Sequence, residues 1–121
     1  MARKTSPNLT ETELRLMEVI WSRGRSTVAE VAEAIGQSAY TTVLTMLRVL
    51  EKKGYLRHQK KGRAFVYEAV VGRGEASEKA VNYLVSRFFN NSPELLMLNI
   101  LEKRKMDPEE IKRLKKLIEE S

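Results

Sequence analysis

The sequence predicts a mainly α-helical chain in two parts: three helices closed by a β-hairpin, then three further helices. Apolar residues recur at helical spacing behind capping motifs as far as Leu50. Past Gly54 the period switches to strand-like alternation around Lys60-Lys61-Gly62-Arg63. From Arg73 onward helical spacing returns, with a far more apolar middle segment.

Thr10-Glu11-Thr12-Glu13 is a capping box, with Leu9 and Leu14 at the spacing of a hydrophobic staple. A first helix therefore starts here and stops near Gly24, turning Leu14, Met17, Ile20 and Trp21 inward. Thr27-Val28-Ala29-Glu30 repeats the box, Val28, Val31, Ala32 and Ile35 make the buried stripe, and Gly36 stops this short helix. A third helix begins after Ser38 and ends at Gly54, with Val43, Met46, Leu47 and Leu50 inward. Tyr55 to Gln59 and Ala64 to Val70 read as strands, with Lys60-Lys61-Gly62-Arg63 as the hairpin tip. Three helices and a hairpin, the second and third helices separated only by a few residues around Gly36, make a winged helix-turn-helix.

In the remainder, a helix from about Glu75 to Phe89 is broken by Asn90-Asn91. Ser92-Pro93-Glu94 opens the next helix, with Pro at the first helical position. Leu95, Leu96, Met97, Leu98, Ile100 and Leu101 cover nearly its whole circumference, so it needs burial on more than one side. Asp107-Pro108-Glu109-Glu110 starts a last helix with Ile111, Leu114, Leu117 and Ile118 inward. Three helices cannot cover so apolar a segment alone, and a second copy is the natural cover. Leu84, Phe88, Leu95, Leu98, Ile100, Leu101, Leu114 and Leu117 are the candidate contacts of a homodimer. The expected division is a winged-helix domain at 1–72 and a helical dimerisation domain at 73–121, behind a disordered tail from Arg3 to Asn8.

Lys and Arg total 22 against 16 Asp and Glu, a formal charge of +6, which favours polyanionic partners. The excess is local. Between Arg48 and Arg63, Arg48, Lys52, Lys53, Arg57, Lys60, Lys61 and Arg63 face only Glu51. With no cysteine and one histidine, disulfides, thiol chemistry and Cys/His metal sites are excluded, and no nucleophilic triad or glycine-rich phosphate loop occurs. No enzyme activity, cofactor or metal is expected. The N-terminus lacks the apolar region of a signal peptide and no run reaches the length of a membrane span, so a cytoplasmic protein without membrane contact is expected.

On the third helix Thr41, Thr45, Arg48 and Lys52 form one stripe opposite the apolar face. Its small residues suit close approach to base edges and its later cations suit phosphates, as a helix entering the major groove requires. Thr42 and Leu44 lie on its shoulders and either make apolar contacts there or pack on neighbouring helices. Tyr40 is read either as a phosphate donor or as a partly buried cap residue, and His58 as a strand residue beside the wing. Any surface helix carries a polar stripe. This one follows a short helix at turn-like spacing and precedes a hairpin tipped with Lys60, Lys61 and Arg63, which together point to double-stranded DNA. A winged helix acting only as a protein-interaction module would show an apolar third-helix face and a neutral wing, the opposite pattern.

The segments "LTETELRLMEVIW", "YTTVLTMLRVLEKKGYL" and "KKGRAFVYEA" resemble the penicillinase-repressor family, the BlaI/MecI/CopY-type bacterial transcriptional repressors, over essentially the whole chain. The resemblance implies a dimeric repressor of inverted-repeat operators, with Thr41, Thr42 and Thr45 near bases and Arg63 at the wing. In the antibiotic-responsive branch a sensor protease cuts the dimerisation region after an asparagine that precedes phenylalanine. Here Asn99 is followed by Ile100, so this bond is either that cleavage site or an ordinary part of a dimer helix. The cysteine-rich metal site of the copper-responsive branch is absent. A ligand-responsive regulator remains the alternative to release by proteolysis.

Overall fold

The computed structural model describes residues 8–36, 39–104 and 106–121. Its order is α1 Glu11–Arg23, β1 Ser26–Thr27, α2 Val28–Ile35, α3 Tyr40–Lys52, β2 Leu56–Lys61, β3 Ala64–Ala69, α4 Arg73–Phe88, α5 Pro93–Lys103 and α6 Pro108–Glu120. Both threonine capping boxes close: the Thr10 N–H donates to Glu13 Oε1 at 2.8 Å and the Thr27 N–H to Glu30 Oε1 at 2.8 Å, each reciprocated by the threonine hydroxyl. Gly36 ends α2 in the left-handed region, φ 73°, where a side chain would be strained. The Ser38 start expected for α3 and the tail before Asn8 fall outside the described residues; α3 is preceded by Ala39, which supplies no side-chain cap.

The chain divides into two compact units, 1–80 and 81–121. α4 begins at Arg73, earlier than Glu75, because the Gly72 carbonyl accepts the Ala76 N–H at 2.9 Å, and it runs continuously through the 80/81 division.

In the first unit Leu16, Met17, Ile20, Val28, Val31, Val43, Leu47, Leu50, Tyr55 and Tyr67 are each at most 2% exposed. The buried stripe of α1 is Glu13, Leu16, Met17 and Ile20, rotated from the expected one, so that Leu14 stands 38% exposed. Trp21 lies at its edge, half-buried, and its indole N–H donates to the Val71 carbonyl at 2.9 Å. β2 and β3 form an antiparallel hairpin with Lys61 opposite Ala64. Lys60 and Lys61 thus belong to the strand, and Gly62-Arg63 alone makes the turn. Gly62 at φ 61° occupies the first central position, as a type II′ turn prefers. A third strand, β1, pairs with the outer edge of β3 through Ser26 opposite Tyr67, giving the order β1-β3-β2. Two residues carry no alternation, so β1 had no signature in the sequence.

In the second unit Asn90 and Asn91, at φ 51° and 59°, end α4, and the Asn91 N–H donates to the Val85 carbonyl at 3.1 Å. Ser92 caps α5 and Asp107 caps α6. No described residue from 81 on is buried.

Candidate nucleic-acid interface

Because α3 turns Val43, Leu47 and Leu50 fully inward, Thr41, Thr42, Thr45, Arg48 and Lys52 are left exposed. The Thr45 hydroxyl donates to the Thr41 carbonyl at 2.9 Å. Its proton is therefore used within the helix, leaving oxygen lone pairs and a methyl group facing outward. Of the two shoulders, Leu44 packs on the core while Thr42 stays exposed. Tyr40 begins the helix and is 43% exposed.

Lys60, Lys61 and Arg63 are exposed on the hairpin, and the Lys60 ammonium sits 5.9 Å over the Phe65 ring. Strand alternation sends Lys60 and Lys61 to opposite faces, so the wing can meet an anion from either side.

The basic footprint is smaller than the sequence suggests. Lys53 turns away: its ammonium lies 2.7 Å from Glu13 Oε1 and 3.0 Å from the Asn8 carbonyl oxygen, with its side chain only 6% exposed. Burial pushes the Glu13 carboxyl up, but the hydrogen bonds from Lys53 and Thr10 and the Lys53 charge outweigh it, leaving Glu13 below its usual value. Lys53 thus ties the end of α3 to the start of α1. Arg57 lies 2.6 Å from Glu68 Oε1. Among the described residues Arg48, Lys52, Lys60, Lys61 and Arg63 have no carboxylate partner within ion-pair distance, and these five remain for an external anion.

One contact between α3 and the hairpin had no counterpart in the sequence pattern. His58 Nδ1 lies 2.6 Å from Glu51 Oε1. Burial and the Glu51 charge push the ionisation of the Tyr67 phenol up, and the Arg48 charge opposes them. The Glu51–His58 contact crosses the turn after α3, where helical and strand periodicities give no phase relation between partners. The described residues contain no cluster of His, Cys, Asp and Glu able to hold a metal, and no helix long and apolar enough to cross a membrane.

The sequence model of the penicillinase repressor family matches residues 9–120. The penicillinase repressor of Bacillus licheniformis is 33% identical over 120 residues, covering 97% of this chain and 94% of that protein. The methicillin resistance regulatory protein MecI of Staphylococcus aureus is 22% identical, over 91% and 92%. Among solved structures, the DNA binding domain of the repressor BlaI matches with a TM-score of 0.51 at 34% identity, covering 60% of this chain and 93% of that one. Reduced AbfR bound to DNA shares the fold, with a TM-score of 0.51 at 13% identity over 80% and 73% of the two chains. From residue 9 to residue 120, then, this chain belongs to the penicillinase repressor family.

Proposed function

We propose that the chain is a transcriptional repressor that binds inverted-repeat operator DNA as a homodimer. Residues 1–72 read the duplex and residues 73–121 join the two copies. The observation that carries the reading is the face of α3 and the wing: Thr41, Thr42 and Thr45 exposed on α3, flanked by five cations without a carboxylate partner. Threonines of this kind reach base edges, Arg48 and Lys52 extend toward the backbone, and Lys60, Lys61 and Arg63 hold phosphates beside the groove. Tyr40, exposed at the start of α3, adds a phenol at the same border. Dimerisation is supported by Leu84, Phe88, Leu95, Leu98, Leu101 and Leu117, all exposed in a single copy, with Ile100 and Leu114 half-covered beside them.

Release from DNA follows from the same arrangement. Asn99 is exposed and Ile100 half-buried on α5. A cut between them by a sensor protease removes α6 and the end of α5 from the subunit contact, and separated half-sites bind independently.

The test is affinity against salt, for duplexes taken from the DNA flanking the gene and for scrambled controls. Thr41→Ala and Thr45→Ala lower discrimination between the two by about 1 kcal/mol each. Lys60→Ala, Lys61→Ala and Arg63→Ala weaken both and reduce the salt slope by about 1 each. Equal affinity of all these variants and the wild type for both duplexes would overturn the assignment.

A further inference from the structure

His58 sits at a joint. Its Nδ1 meets Glu51, in the last turn of α3, and its ring is held against β3 by Phe65, edge-on at 5.6 Å, and Tyr67, tilted at 5.3 Å. The contact links the helix that carries the threonine stripe to the strand that carries Lys60 and Lys61. Neither partner belongs to the core, since their side chains are 39% and 31% exposed.

The chemistry of the pair depends on the proton. A carboxylate only accepts, so a neutral imidazole bonds Glu51 in one tautomer, whereas an imidazolium always presents a donor there and adds a charge. The site also lies at the C-terminal end of α3, where the helix dipole favours a cation and disfavours Glu51. A protonated His58 answers both. The other ionisable groups around it are Arg48 and Tyr40 on α3, whose charges bear on its ring neighbour Tyr67, and Lys60 on its own strand, over Phe65. Arg57 and Glu68, flanking it along the hairpin, pair with each other.

We propose that His58 and Glu51 are positioning residues for DNA binding. Their contact clamps the wing to α3 so that the threonine stripe and the wing cations engage one duplex together, and a proton on His58 tightens the clamp. The inference rests on the DNA-binding reading above. Its test is clean because the chain has one histidine and no cysteine. Histidine is the side-chain type whose charge ordinarily changes between about pH 5 and 8.

The experiment uses the full chain at fixed ionic strength and compares wild type, His58→Gln and Glu51→Gln at about pH 6 and about pH 8. Duplex affinity is measured together with backbone relaxation of the wing amides in the DNA-free protein. Wild-type affinity falls roughly three- to tenfold as the pH rises. His58→Gln is flat and stays near the wild-type value at the higher pH. Glu51→Gln loses most of the slope although it keeps the imidazole, and the wing amides of both variants are less ordered than those of the wild type at the lower pH.

A wild-type affinity that does not change across this range overturns the inference and leaves DNA binding intact. A slope kept in full by Glu51→Gln overturns it too, assigning the proton to a direct imidazolium–phosphate contact. A folded protein that binds no duplex at either pH overturns the DNA-binding reading itself.

Discussion

In the N-terminal unit Leu16, Met17, Val43 and Leu47 keep no exposed surface, whereas in the C-terminal unit Phe88, Leu117 and Ile118 keep 73%, 64% and 61% of theirs. Both sets are large apolar side chains, so hydrophobicity alone does not separate the two. The difference lies in cover. α1, α2 and α3 pack on one another and on the sheet, and their buried stripes meet in one core. α5 and α6 pack only sparsely on each other within a single copy. A folded unit with its own core holds its structure at any dilution, while helices that are covered by a partner depend on concentration. The contrast therefore supports the proposed dimer, in which stability and assembly would fall to different halves of the chain.

The largest expected effect breaks that contrast at its exposed side. Leu98→Glu together with Leu117→Glu yields a monomer, and operator affinity falls about 10²- to 10³-fold through the lost linkage of half-sites. The winged unit still melts as before. Sedimentation and duplex titration check this; a variant that remains dimeric would mean that these side chains face solvent in the assembly as well.

A smaller effect probes the buried side. Lys53→Met leaves the Glu13 carboxylate without its ammonium and costs about 3 kcal/mol, read by denaturant unfolding at neutral pH. The sign with acid follows from the direction of the Glu13 shift. Its folded value lies below the unfolded one, so the contribution is present above the ordinary carboxylate value of about 4.3 and is lost as the pH falls through the lower folded value. Acid thus narrows the gap between wild type and variant, a convergence absent if Glu13 is already neutral at pH 7.

The smallest effect compares caps across the two halves. Thr27→Ala and Asp107→Ala each remove one capping side chain, worth about 1 kcal/mol. The first appears in the unfolding of the winged unit at any protein concentration. The second appears in the dimer dissociation constant. Equal effects on both readouts would show that the halves are not energetically separate.

Much of this was legible because local rules and tertiary contacts agree. Thr10, Thr27 and Pro93 mark helix starts through backbone chemistry that acts within one turn, and Val43, Leu47 and Leu50 share a face wherever the helix is placed. Legibility failed where a partner lies far along the chain. Lys53 reads as one more cation of the basic run, yet it is 40 residues from the carboxylate that holds it. Leu16 displaced Leu14 from the core because α1 has two overlapping apolar stripes and only packing chooses between them. β1 exists because β3 offers a free edge, a property of β3 rather than of Ser26-Thr27. In the candidate site the exposed threonines and wing cations were readable one residue at a time, whereas the Glu51–His58 contact depends on how the hairpin folds back on α3.

The indole of Trp21, anchored to the Val71 carbonyl and flanked by the Arg73 guanidinium 5.3 Å from its ring, makes the molecule its own optical probe. It is the only tryptophan in the chain, so all of the indole emission comes from the place where the strand leaving the wing becomes α4. Loss of the hydrogen bond or of the cation over the ring changes the polarity around the excited state, and with it the wavelength and yield of the light. Loosening of the wing's exit strand can thus be followed in unlabelled protein, while a cut between Asn99 and Ile100 that leaves the winged unit folded would pass without changing the colour.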